Sequence, residues 1–246
     1  MARHFVSAST QYLEAAPAVT TVPFTMAAWL RSSSGATFQR PLALGTNGGS
    51  NEYYEFRLRG DVAGGLEFVA TDPTNGAQVL SGTATYTAGV WFHYAAVVRS
   101  ALDREAYKNG ASFGTSTNFV APTIANMTIG VLHAAGGYFN GLDGDMAEVG
   151  FWRVALTPAE IKRLAAGAAC DQVRPASLVA YMPLDRDIID RRRNVWTDNS
   201  GGAVSTFVPP RPRAREYDAQ ALAAAAGPQR VLPVVVKQAV QRAANW

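Results

Sequence analysis

Apolar and polar residues alternate along most of this chain with the period of β-strands, and only once with the period of a helix. In EYYEFRLRG (52–60), Tyr54, Phe56 and Leu58 fall on one side and Glu55, Arg57 and Arg59 on the other. That predicts a strand with one face on a core and one in water. FTMAAWLRS (24–32) and VWFHYAAVVRS (90–100) are apolar on both parities, as expected of strands covered on both faces. LEFVATD (66–72) follows Gly64-Gly65, a natural hairpin connection, and Asn75-Gly76 and Asn109-Gly110 are two-residue turn signals. A later strand alternates through Met146, Glu148, Gly150 and Trp152 and leads into the one helix. Thr157 caps that helix, Pro158 fits its first turn and Glu160 completes a T-x-x-E capping box. Ile161, Leu164 and Ala165 form its apolar face, and Gly167 supplies a left-handed stop. Short strands punctuated by Gly, Asn and Asp predict an all-β sandwich of two antiparallel sheets. There is no internal repeat and no heptad pattern.

Composition narrows the class. The 246 residues are 48% hydrophobic and 17% charged, a globular balance with ample core for one domain of about 200 residues plus an appendage. No apolar run approaches the ~20 residues that span a bilayer, so no membrane partner is expected. The opening MARHFVSAST lacks the apolar segment of a secretion signal, so export by that route is not expected. Cys170 is the only cysteine, excluding an internal disulfide, and reads as small packing filler. The Asn126-Met-Thr sequon matters only in a secretory compartment.

Charge separates body from tail. Residues 1–205 hold 16 Lys/Arg against 17 Asp/Glu, whereas 206–246 hold 6 against 2. The tail, not the body, makes the chain basic, and such a tail can meet an acidic protein surface as well as nucleic acid. Prolines 209 and 210 cannot continue a sheet. AQALAAAA (219–226) reads as a short helix stopped by Gly227-Pro228, and residues 230–246 are too apolar for an inert solvated tail. The division is therefore a sandwich over 1–207 and a C-terminal arm over 208–246. Arg211, Arg213, Arg215, Val234, Val236 and Trp246 are the arm's candidate docking residues, on the arm's own domain or on a neighbour.

Several motifs carry a family resemblance. ARHFVSASTQYLEA opens the chain, Trp91-Phe-His93-Tyr-Ala-Ala matches a W-x-H-V-A strand, and Glu105-Ala-Tyr107-Lys-Asn109-Gly110 matches an L-Y-V-D-G hairpin. Gly144-Asp-Met-Ala-Glu148-Val matches G-x-I-D-E-V, and Leu178-Val-Ala-Tyr181-Met-Pro-Leu184-Asp185 matches L-V-A-Y-W-P-L-D. Together, over roughly residues 2–208, they resemble the laminin-G-like, concanavalin A-like lectin/glucanase jelly roll in its phage-encoded type. Met182 departs from the usual Trp, and Arg191-Arg-Arg-Asn stands where a D-S-S-G-N-G turn is common. The resemblance implies a non-catalytic bacteriophage virion protein (capsid decoration, head fibre or tail-associated) assembled in the host cytoplasm. Its partners would be other virion proteins and further copies of itself as a homo-oligomer, with a host-surface glycan as a further partner. Nucleic acid is not an expected partner.

Two other functions compete. A free carbohydrate-binding module would stack a sugar on an exposed aromatic beside amides, for which Tyr53 with Asn51 and Tyr138 with Asn140 are the candidates, in predicted loops. Trp29, Trp91 and Trp152 lie in apolar strands and read as core. A hydrolase is the third reading, because Asp143-x-Asp145-x-x-Glu148 resembles the catalytic strand of laminarinase-type enzymes. A regular strand points 143 and 145 to one face and 148 to the other, so that only a β-bulge would bring Glu148 round. The first position is also Asp rather than Glu, and no activity follows from a fold alone. The expectation is therefore no enzyme. His4, His93 and His133 lack ligand spacing, and His93 is expected to hydrogen-bond within the sandwich. No cofactor is expected; calcium is common on this fold, and Asp72, Asn75, Asp143 and Asp145 offer hard oxygens, set against ordinary turn chemistry.

Overall fold

The computed structural model describes residues 2–48, 51–60, 64–185, 187–199, 204, 205 and 209, within a compact unit spanning Met1–Arg211. In chain order the strands are β1 (Ala2–Phe5), β2 (Leu13–Ala15), β3 (Phe24–Ser32), β4 (Gln39–Gly45), β5 (Tyr53–Arg59) and β6 (Gly65–Asp72). Then come β7 (Gly76–Thr85), β8 (Phe92–Ser100), β9 (Asp103–Lys108), β10 (Ala111–Ser116), β11 (Asn126–Ile129) and the hairpin β12 (Leu132–Ala134) and β13 (Gly137–Phe139). β14 (Gly144–Trp152), helix α1 (Pro158–Ala165), β15 (Leu178–Met182), β16 (Trp196–Asp198) and β17 (Val204–Ser205) complete the order.

The strands form two antiparallel sheets face to face, the jelly-roll sandwich expected from the sequence. The first runs β10-β9-β8-β3-β14-β1-β17, with β15 joining β14 beyond the end of β1; the second runs β16-β2-β11-β4-β5-β6-β7. Alternate residues meet between them. Phe24, Met26, Ala28 and Leu30 of β3 and Phe92, Tyr94, Ala96 and Val98 of β8 face Tyr54, Phe56 and Leu58 of β5 and Phe68 of β6. The Phe56 and Tyr94 rings stack at 3.9 Å and 8° across the sheets.

Both outer faces are also covered, which explains the segments apolar on both parities. On the first sheet, Ile161 and Leu164 of α1 pack with Ala27, Ala95, Val97, Tyr107 and Trp152. The α1 capping box forms as read, with Thr157 and Glu160 capping each other's backbone, and Gly167 is left-handed at φ +96°. On the second sheet the β12–β13 hairpin buries Leu132 and Ala134 against Ala43, Tyr53 and Val69. The polar side of β5 is only partly in water. Glu55 is fully buried between Arg40 (3.4 Å) and Arg57 (2.5 Å), and Arg57 and Arg59 continue the row to Glu67. Alternation correctly separates inner from outer residues on β5, but it is silent about the hairpin over Tyr53 and the ion pairs that enclose Glu55.

β14 departs from simple alternation. Its register against β3 shifts between Ala147 and Gly150, and Glu148 has φ +52°. This is a β-bulge. Met146 therefore faces the core, whereas Gly150 and Trp152 lie on the outer face with the Glu148 carboxylate. The four residues do not share one face as regular alternation predicts. The bulge also divides the far edge of β14, with residues 144–146 pairing with β1 and 149–152 with β15. Gly150 is required here, because a Cβ would stand 2.6 Å from the Trp152 ring and 2.8 Å from Cys170 Sγ.

Candidate functional site

A cleft of about 350 Å³ opens beside the outer end of the second sheet. Its walls come from β2 (Tyr12 at its approach, Glu14), β16 (Thr197), the β4–β5 loop (Asn47), the start of β11 (Asn126) and the hairpin (Tyr138). Glu14 stands between the buried Leu13 and Ala15, so strand parity turns its carboxylate outward, toward the hairpin. There Oε1 lies 2.7 Å from His133 Nδ1, and Oε2 accepts a 3.0 Å hydrogen bond from the Tyr138 hydroxyl. Tyr138 is stacked by Tyr12 at 4.3 Å and by His133 at 4.1 Å. Burial, then hydrogen bonding with Tyr12 and Glu14, pushes the Tyr138 phenol well above its ordinary range. Asn126 ties the hairpin down, donating to the His133 carbonyl at 3.3 Å and accepting from Gly45 N at 3.2 Å. The cleft thus offers hydroxyls, an exposed amide and a held carboxylate.

The predicted sugar residues separate. Tyr138 lies in this cleft, but as a member of the aromatic stack, presenting its edge and hydroxyl. Tyr53 is 4% exposed beneath the hairpin on β5, not on a loop, and cannot stack a ring. Asn51 is exposed ahead of β5, and Asn140 is exposed at φ +50°, its carbonyl accepting from Arg40 N at 2.7 Å; neither lines the cleft. Sequence reading missed Tyr12, Glu14, Asn47, His133 and Thr197. The one local signal was Glu14, a charge between two apolar residues in a short strand.

Of the three carboxylates singled out in the sequence as a catalytic set, Asp145 and Glu148 are engaged in separate buried networks. The bulge does turn Glu148 to the face of Asp145, so the argument from opposite faces does not hold. The two nevertheless have separate partners. Asp145 is fully buried against Arg31 (2.5 Å) and His4 (3.0 Å). Glu148 is 4% exposed and accepts from the Tyr181 hydroxyl (2.8 Å) and Cys170 N (3.2 Å). Asp143 sits in the turn before β14, its backbone N–H donating to Gln39 Oε1 at 3.0 Å.

The calcium reading of Asp72 meets a similar arrangement. Its oxygens accept N–H bonds from Thr74, Asn75 and Ala121 as well as the Asn75 side chain. Burial raises its pKa, but those hydrogen bonds outweigh burial and hold it below the usual carboxylate range. Among the described residues no three His, Cys, Asp or Glu side chains converge as metal ligands. Asp190 occupies the turn that departs from D-S-S-G-N-G, and accepts from Tyr181 N, Arg192 N, Asn194 Nδ2 and Trp196 Nε1.

Two further expectations are placed, and a third falls outside the described residues. His93 is 2% exposed beside Trp29, and its Nδ1 has no hydrogen-bond partner among the described residues, contrary to the bond expected; burial drives the imidazole down to about 3. Asn126 of the sequon is 2% exposed within β11, so no glycan can attach there in the folded domain. Arg211, Arg213, Arg215, Val234, Val236 and Trp246, with the 207/208 boundary, lie outside the described residues. A second cleft of about 220 Å³, lined by Val22, Tyr54, Ala101, Pro122 and Ile124, is mainly apolar.

Comparison with known proteins bears on the fold. A solved putative carbohydrate-binding protein from Bacteroides ovatus superposes with a TM-score of 0.63 at 19% identity, covering 86% of this chain and 61% of that one. A heptameric SAP-like pentraxin from Limulus polyphemus matches at 0.55 and 17%, covering 80% and 89%. The Ruminococcus gnavus IT-sialidase CBM40, bound to α2,3-sialyllactose, matches at 0.54 and 13%, covering 66% and 96%. At these identities the likeness is one of fold. Among curated proteins none matches. The model of the concanavalin A-like lectin/glucanases superfamily (Laminin_G_3) matches residues 7–162, well over half of the chain, and to that family the chain belongs.

Proposed function

We propose that this domain is a non-catalytic glycan-binding module and that the Tyr12–Glu14–Tyr138 cleft is its sugar site. The observation that carries this reading is the outward Glu14 carboxylate, fixed by His133 and Tyr138 in a cleft edged by Asn47 and Thr197. Sugar hydroxyls need acceptors and donors held at fixed positions, and a few such groups confer orientation and specificity. Because both neighbours of Tyr138 stack on its ring, recognition works chiefly by hydrogen bonding at the ring edge. The non-catalytic part rests on Asp145 and Glu148, each held in its own buried network rather than facing a common substrate space, as a glycosidase pair must.

Ala16 lies exposed on the cleft wall, so Ala16→Trp fills the cleft without entering the core. On a glycan array the full chain should give hits that Ala16→Trp loses. Hits retained by the filled variant would move the sugar site elsewhere, and turnover of a β-glucan abolished by Glu148→Gln would restore the hydrolase reading.

Display on a phage particle, with the arm docking to other virion proteins and a homo-oligomeric assembly, is proposed from the motifs at 2–15 and 178–185 and the composition of the arm. Mass spectrometry of purified particles tests it: tens of copies per particle are expected, and absence refutes it.

A further inference from the structure

Resting on the glycan-binding reading, we infer that the cleft selects uncharged glycans and rejects those carrying a carboxylate, such as sialic or uronic acids. Its charged wall residue is Glu14, whose side chain is 18% exposed, and among the described residues no Lys or Arg lines it. Arg3, the cation that reaches β16, is held by both carboxylate oxygens of Asp198. A sugar hydroxyl can donate to Glu14 and pair with the amide of Asn47 or the hydroxyl of Thr197. A sugar carboxylate would meet Glu14 with no Lys or Arg among the described residues of the cleft to neutralise either charge. Moving aside is not open to Glu14, because its two oxygens are fixed by His133 Nδ1 and the Tyr138 hydroxyl. At an effective dielectric of roughly 20 to 40, like charges about 5 Å apart weaken binding by tenfold or more.

The test uses the full chain on an array that prints neutral oligosaccharides beside their sialylated or uronic-acid counterparts, including lactose and 3′-sialyllactose. Matched pairs that register are then titrated calorimetrically at pH 8, above the ordinary imidazole range, in low salt. The neutral member should bind at least about tenfold tighter, and Glu14→Gln should narrow that ratio to about twofold. In the unaltered chain, 0.5 M salt should narrow it as well, a readout independent of how well the variant folds. Equal or tighter binding of the acidic member, or a ratio indifferent to both Glu14→Gln and salt, overturns this inference and leaves the glycan reading standing. No binding to any printed glycan overturns the glycan reading itself, and this inference with it.

Discussion

Replacing Glu148 by alanine and by glycine tests the bulge and its carboxylate together. Both substitutions remove the acceptor for the Tyr181 hydroxyl and for Cys170 N, two buried donors. Each donor left unsatisfied costs about 1–3 kcal/mol, and the lost buried methylene adds about 0.8 kcal/mol. Glu148→Ala should therefore lower unfolding stability by roughly 4 kcal/mol. Glycine loses the same bonds but not the same backbone strain. At φ +52° a Cβ costs about 1–2 kcal/mol, which glycine avoids, against about 0.5–1 kcal/mol of extra chain entropy. Glu148→Gly should consequently be more stable than Glu148→Ala by about 0.5–1 kcal/mol, the reverse of the usual order in a strand. Urea unfolding followed by tryptophan fluorescence measures both, with Tyr181→Phe, which removes one donor, as a milder control. Alanine more stable than glycine would refute the left-handed bulge. A loss below about 1 kcal/mol for either variant would refute the buried role of the carboxylate.

Other consequences are more local. His93 is held neutral at about 3 by burial, against about 6.5 in an unfolded chain. Between those values the unfolded state binds the extra proton, so stability should fall as pH drops through the window, by about 1.4 kcal/mol per unit. His93→Leu should flatten that slope in urea titrations across pH 3.5–7, and an unchanged slope would show that the imidazole is solvated. Asp72, held below its ordinary range, contributes stability that is complete above the unfolded value of about 4 and is lost as pH falls further. Asp72→Ala should therefore be destabilised at pH 7 by about 2–4 kcal/mol through its stranded N–H donors, with the deficit shrinking below pH 4. Thr157→Ala removes the α1 cap and should cost about 1 kcal/mol by thermal melting, with no effect if the helix ends are already solvated.

Local rules made α1 legible, because Thr157, Pro158, Glu160 and Gly167 act within one turn of themselves. Double-parity apolarity in β3 and β8 likewise announced two covered faces, and Trp152 and Ile161 meet there. The bulge was hidden because Met146, Glu148, Gly150 and Trp152 look regular as letters; only pairing with β3 on one side and with β1 and β15 on the other reveals the extra residue. The cleft was harder still. Tyr12, Glu14, Asn47, Tyr138 and Thr197 are brought together from four distant stretches of chain, and no period or spacing joins them. Tyr53 failed as a sugar residue for the same reason, since its cover, Leu132 and Ala134, lies some eighty residues downstream.

The pairing of β1 with β17 sets how the domain responds to mechanical load. Ala2 stands opposite Ser205 and Arg3 opposite Val204, antiparallel, so the outer ends of the two strands lie side by side. Tension applied through those ends does not slide one strand along the other, which would strain every hydrogen bond at once. It opens the pair like a zipper, one rung after another, and then peels β1 from β14 starting at Arg3 and Met146. A domain pulled through these two strands should yield at low force, whereas the same domain gripped across β3 and β8, paired over seven residues, would resist.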